Sequence, residues 1–315
     1  MTPLRAAFVG DAARFASWVA GGTASAAHAG AGGPGGVLFV DSREAAPGDV
    51  AASLRVLRPS VVVALGVADL EPEALDAGAP VLGVVVARER PPAWALKAAP
   101  PGEPPSDEIL AAAAAEDRAR LFAPGSPGDA CDRLVALDPR DALGGRLWRI
   151  VAPPVDDALF AAPRPVEGRP RIVFAAPSSE HRERWLTTAK HLHDVRHVAH
   201  GVTPERLGPL LDETDVALVA HPTARATFDH RVAVHLAAGH LVISEPLRPS
   251  HGLEPNIDYL ETADPEALAR VLHAIRTGRD THRRVRARGH LKAQRFRASH
   301  VWGRVLDDFL RDVRS

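Results

Sequence analysis

One cysteine, Cys131, occurs in 315 residues. No disulfide can form within the chain, and the thiol reads as a packed side chain. That usage suits a reducing cytoplasm, which is the expected location. Lysine occurs at positions 97, 190 and 292 only, so arginine carries nearly all fixed positive charge. Tyr259 is the one tyrosine and aromatics make up 5% of the chain. Modules that stack bases need exposed aromatics, so nucleic acid is not an expected partner. A formal net charge of -1 gives no global field toward nucleic acid or anionic lipid, and any anion site must be local. No apolar run approaches the roughly 20 residues that span a bilayer, which leaves only peripheral membrane contact open. Asp11 interrupts what would be the apolar core of a signal peptide in "MTPLRAAFVGDAARF", so secretion is not expected.

Several chemical signatures are missing as well. No G-x-G-x-x-G follows the first apolar run, against a nicotinamide dehydrogenase. The glycine-rich "GGTASAAHAGAGGPGG" (21–36) lacks the lysine of a phosphate loop and reads as a loop, with His28 a weak candidate base. No G-x-S-x-G elbow is present. His191 and His193 have no carboxylate or cysteine at ligand spacing, so neither a metal nor a resident cofactor is expected.

What is present is alternation. Apolar, β-branched runs lie at 4–10, 36–42, 60–66, 80–87, 133–139 and 147–154, with helix candidates at 11–20, 47–57 and 107–117. Continuous apolar runs suit strands buried on both faces, and alternation with helices suits parallel βαβ units. The proline-rich 88–106 reads as a long loop. A second series sets strands at 171–177, 195–201, 215–222 and 240–247. Its helices fall at 180–192, 203–213, 229–238, 265–278, 280–296 and 300–313. Thr203 and Pro204 would open one of them, and Gly278 would end another. The expected class is α/β, two facing doubly wound, Rossmann-like domains. Their expected bounds are 1–153 and 170–299, with a hinge at 154–169 ("PVDDALFAAPRPVEGR") and a last segment at 300–315.

In such sheets ligands bind beyond the carboxyl ends of the strands. The stretch "DHRVAVHLAAGHLVIS" (229–244) would place a helix N-terminus there, which attracts anions. Arg231 and His235 are about 40° apart on that helix and share a face. Val232, Ala233, Leu236 and Ala237 form the face that would pack on the sheet. From spacing alone the pair reads first as solvated helix positions. As a site, Arg231 would fork onto a phosphate and His235 would follow as a hydrogen-bond donor. The basic run 276–304 is read as a solvated helix face, with an anionic ligand or partner as the other reading.

The order helix, Ala-Ala-Gly, strand, "SEPLRPSHGLEPNIDYL", then "DPEALARVL" resembles the C-terminal half of GT-B glycosyltransferases. The group-1, spore-maturation-type members are nearest in pattern. "PPVDDALF" and "RPRIVFAAPSSEHRERWL" resemble their hinge and first C-terminal strand and helix. The likeness covers roughly 148 to 312 and is weaker before it. It implies a metal-independent transferase that takes a nucleotide-diphosphate sugar to an unspecified acceptor. It also implies a final helix that crosses back to the first domain. Matched positions imply donor contacts at Ser178, Ser179, Arg182 or Arg184, Arg231, His251, Gly252 and Glu254. His221 and His235 join the candidate donor side, and Gly10 with Asp11 the acceptor side. The family's glutamate on the site helix falls on Val234, which cannot accept a hydroxyl hydrogen bond. That departure keeps a second reading open, a non-catalytic scaffold or partner subunit of an active transferase. A sugar-nucleotide epimerase on a similar frame is a third. No catalytic residue follows from the sequence, nor does the oligomeric state.

Overall fold

A computed structural model describes residues 5–19, 21, 37–43, 45–86, 93–98, 106–138, 147–166, 168–278 and 282–315. The candidate base His28 lies outside them. Two all-parallel sheets organise the chain. The first contains β1 (Ala6–Gly10), β2 (Val37–Asp41), β3 (Val61–Leu65), β4 (Val81–Val85), β5 (Arg133–Ala136) and β6 (Leu147–Ile150), in the order β2-β1-β3-β4-β5-β6. The second contains β7 (Ile172–Phe174), β8 (Val195–His197), β9 (Val216–Val219), β10 (Leu241–Ser244) and β11 (Leu260–Glu261), in the order β11-β10-β9-β7-β8. β1, β3 and β4 are buried at every position, as strands covered on both faces require. The α/β doubly wound reading therefore holds.

Helices α1 (Ala12–Phe15), α2 (Pro47–Leu57), α3 (Ala93–Ala98) and α4 (Asp107–Leu121) belong to the first series. The second has α5 (Glu180–Leu192), α6 (Pro204–Asp212), α7 (His230–Ala237), α8 (Pro265–Thr277), α9 (Arg283–Ala293) and α10 (Ala298–Arg314). Three expectations need correction. The helix expected over 11–20 is one α-turn followed by a 3-10 turn at 16–18. The carbonyl of Ser17 accepts from Asp156 N, and that of Trp18 from Trp302 Nε1, each at 2.7 Å. Those carbonyls serve the hinge and α10 instead of a longer helix. Within the proline-rich 88–106, the described residues form α3. Thr203 occupies the N-cap of α6 but makes no side-chain bond there, and Pro204 follows at the first helical position.

α10 lies against the first sheet. Ala298, Val301, Trp302, Val305, Leu306, Phe309 and Leu310 share one core with Phe8, Phe15, Val63 and Val84. Trp302 meets the Phe8 ring edge-on at 5.4 Å. Arg149 and Arg133 pair with Asp308 and Asp312 along its outer side, both at 2.7 Å. Burying each large apolar side chain contributes about 1.5–3 kcal/mol, so this stripe anchors the helix. The chain thus crosses between the sheets twice. The crossings pair like strands: Val155 N donates to Phe296 O, and Ala298 N to Val155 O, at 2.7 Å each.

Candidate functional site

In the first sheet β1 sits between β2 and β3, so the chain leaves it on alternate sides. In the second, β7 sits between β8 and β9 in the same way. These are the topological switch points, where the loops at the strands' carboxyl ends part and leave a crevice. Both open into one cleft of about 730 Å³, lined from the first series by Asp11, Arg14 and Arg43 and from the second by Ala175, Arg182 and Arg231.

On the second side, Asp229 caps α7 by accepting from Arg231 N at 2.9 Å. The same carboxylate accepts from Arg231 Nε at 2.9 Å and Nη2 at 2.6 Å. Arg231 Nη1 donates to Ala175 O at 3.1 Å, just past β7. Arg182 lies 3.7 Å from Asp229 and donates to Ala220 O past β9 and to Pro177 O past β7. Burial opposes the charge on Asp229, but Arg231 and then Arg182 outweigh it and hold the carboxyl well below its usual range. The Arg231 guanidinium keeps a side-chain exposure of 25% while Arg182 keeps 3%. Arg231 is therefore held in one plane at the cleft, and Arg182 ties two strand ends together. Asp229 escaped the sequence reading, although an acidic residue directly before a helix is a cap signal. Val232, Ala233, Leu236 and Ala237 are buried, as their pattern implies. Val234 lines the cleft, and so does His235. His235 is buried against His240, so it is no solvated helix residue.

The first side presents Asp11. It caps α1 through Ala13 N at 3.0 Å and pairs with Arg43 at 3.0 Å. Burial raises its pKa, Arg43 opposes this, and Asp41 adds to the rise. Gly10 is tightly packed, since a Cβ would lie 3.0 Å from both Leu65 O and the Phe15 ring. Trp18 stacks on His230 at 4.6 Å, and His230 Nε2 meets Pro154 O at 2.5 Å. The site helix is so tied to both the first series and the hinge. Trp18 and His230 were missed because only three-dimensional pairing reveals them.

No family model matches the sequence, and a comparison with curated proteins finds no match. Solved structures do match. Sucrose-phosphate synthase of Thermosynechococcus elongatus has a TM-score of 0.57 at 11% identity, over 98% of this chain and 99% of that one. Anabaena HepE in complex with UDP-glucose has a TM-score of 0.55 at 11% identity, over 98% and 100%. A glycosyltransferase from Rickettsia africae has a TM-score of 0.53 at 11% identity, over 97% and 98%. The chain has the GT-B fold.

The remaining sequence candidates fall at different places in the GT-B frame. Arg184 pairs with Glu180 at 2.6 Å on the exposed side of α5 and does not line the cleft. Ser179 caps α5 through Arg182 N at 3.2 Å, and Ser178 donates to Glu183 at 2.7 Å. Both serve the loop after β7. His221 and His181 flank the buried Glu245, which accepts from His221 N and lies 2.7 Å from His181 Nε2. His251 adopts a positive φ and contacts the edge of Phe228. Burial, then Arg295, lowers its pKa to about 4. A Cβ on Gly252 would meet Arg295 at 2.5 Å, and Glu254 lies 3.5 Å from Lys292. The 250–255 turn thus packs on the α9 end of the GT-B fold instead of lining the cleft. Among the described residues no three His, Cys, Asp or Glu are grouped to hold a metal ion, and no helix is long and apolar enough to cross a membrane.

Proposed function

We propose that this GT-B chain is a glycosyltransferase that moves a sugar from a nucleotide-diphosphate donor to an acceptor, using fixed guanidinium charge instead of a metal. The observation that carries the reading is Arg231, braced by Asp229 at the N-terminus of α7 and half-buried at the shared mouth of both switch points. A preorganised cation there stabilises charge as it develops on a leaving diphosphate, with little reorganisation. The UDP-glucose bound in Anabaena HepE supports a donor of this class. Asp11 faces the same cleft from the first series and takes the acceptor hydroxyl, its raised pKa suiting a proton acceptor. Residues 1–153 form the acceptor side, 154–169 the hinge and 170–299 the donor side, with 300–315 returning to the first. Work on a sugar nucleotide places the chain in the cytoplasm, in keeping with its one cysteine.

The test is thermal shift with UDP, GDP and dTDP and their sugars, repeated on Arg231→Gln and Arg231→Ala. A donor should raise the melting temperature of the wild type and lose most of that effect in both variants. Equal stabilisation of all three proteins would remove the diphosphate from Arg231. A second reading, a non-catalytic partner subunit, is favoured by one feature: Asp229 already occupies the guanidinium fork. Nucleotide release from the donor in the presence of acceptor rules that reading out.

A further inference from the structure

Much of the basic run singled out in the sequence forms α9 and the 3-10 turn at 294–296. No acidic residue occurs between positions 281 and 306. Arg286, Gly289 and Ala293 turn inward and are buried. At Gly289 a Cβ would lie 2.2 Å from Asp258 O and 2.6 Å from the Leu236 side chain. His290 Nδ1 meets the carbonyls of Leu236 and Ala237 at 3.3 and 3.1 Å. α9 therefore backs the site helix α7, and none of its residues lines the cleft.

The outward face mixes charge with one apolar group. At about 100° per residue, Arg284, Ala287, Arg288 and Leu291 share one arc opposite the buried side, and all four are exposed. Leu291 stands within the arc with 70% of its surface in water. Arg283 and Arg295 are exposed at its two ends. Among the described residues, carboxylates pair with this face along one flank, from the turn after β10. Asp258 lies 3.7 Å from Arg288 and 3.9 Å from Lys292, and Glu254 lies 3.5 Å from Lys292. Arg283, Arg284 and Arg295 make no salt bridge among the described residues. Ile257, next to Asp258, is itself 44% exposed. A single leucine on a surface needs no explanation. One ringed by guanidinium groups without carboxylate partners presents two chemistries together.

We propose that this face of α9 docks the chain on an anionic phospholipid bilayer, with Leu291 entering the acyl boundary and the arginines meeting lipid phosphate. A bilayer offers both chemistries in that order, phosphate at the surface and hydrocarbon directly beneath. Long arginine stems keep guanidinium at phosphate depth while the leucine between them goes deeper. A nucleic acid would face Leu291 with phosphate and sugar, and α9 has no aromatic residue on which a base could stack. Because the chain's net charge is -1, attraction to an anionic surface is local to this face and fixes the orientation of the bound molecule. The contact leaves the cleft open and does not depend on what the cleft binds.

Co-sedimentation of the full chain with vesicles tests it. Vesicles of phosphatidylcholine with about 30% phosphatidylglycerol should carry the protein down, and vesicles of phosphatidylcholine alone should not. Raising salt from about 50 mM to about 500 mM should weaken the binding. Arg283→Gln with Arg284→Gln should lower the partition coefficient by about fivefold for each charge removed. Leu291→Ala should lower it by about tenfold, and Leu291→Phe should keep it. These side chains point into water, so each variant should melt at the wild-type temperature. Equal binding to both kinds of vesicle, or to neither, overturns the proposal. So does binding that survives the arginine variant. Loss with the arginines but not with Leu291→Ala reduces the contact to general adsorption of cations and overturns it as well. A duplex oligonucleotide that displaces the vesicles and itself requires Arg283 and Arg284 would replace lipid with nucleic acid as the partner.

Discussion

Buried neutral histidines make stability depend on pH in a definite direction. His240 and His251 titrate near 4 in the folded chain, and His235 and His193 are also lowered. Their unfolded value is about 6.5. The stability they contribute is fully present above 6.5 and is lost as pH falls toward 4, where the unfolded chain binds more protons. His240 alone accounts for at most about 3 kcal/mol of this loss. The melting temperature should therefore fall steadily between pH 6.5 and 4, and His240→Gln should flatten that slope. Asp11→Asn is a second test at this scale. Asparagine keeps the cap on α1 but loses the pair with Arg43 and cannot take a proton. Turnover should drop by about 100-fold or more with donor affinity unchanged; full activity would remove Asp11 from the chemistry. Residues differed in how far the sequence disclosed them. Arg231 was placed at the cleft by the family resemblance, since its spacing alone reads first as a solvated helix position. The surroundings of His235 were not legible, since its ring partner His240 lies past the Gly239 turn.

Elements followed their patterns wherever burial was uniform. β1, β3 and β4 coincide with continuous β-branched runs, and α2 and α5 have the expected bounds. The misreadings occurred where partners distant in sequence take over the backbone. α1 stops early, and the hinge and α10 use the carbonyls of Ser17 and Trp18 in the turn that follows it. β11 has only two residues, too few to leave a periodic trace inside a turn-rich segment. Gly239, which closes α7, has a positive φ of 76°. A Cβ there would lie 2.7 Å from Pro163 N and 2.8 Å from Ala161 O. Both contacts are hinge backbone, which cannot rotate aside. Gly239→Ala should cost about 3 kcal/mol or more, strain and clash combined, and denaturant unfolding would register it. A change below about 0.5 kcal/mol would mean that the hinge does not seat on α7.

For the molecule as a whole, the two-series organisation was legible because each series alternates strand and helix on its own. The mutual orientation was not, since it depends on the paired crossings at 155 and 296–298. Trp302 tests this level. It fills the first core from the last helix and donates to Trp18 O. Trp302→Ala should destabilise by about 3–5 kcal/mol, and hydrogen exchange should show the loss in β1 and β3 first. The arrangement also sets a schedule. A polypeptide grows from its N-terminus, so every strand of the first sheet exists well before Val301, Trp302 and Phe309 are made. At about 5–20 residues per second, the roughly 150 intervening residues take on the order of ten to thirty seconds. Through that interval the nascent sheet carries an uncovered greasy flank, and a chaperone able to shield it would be most needed then.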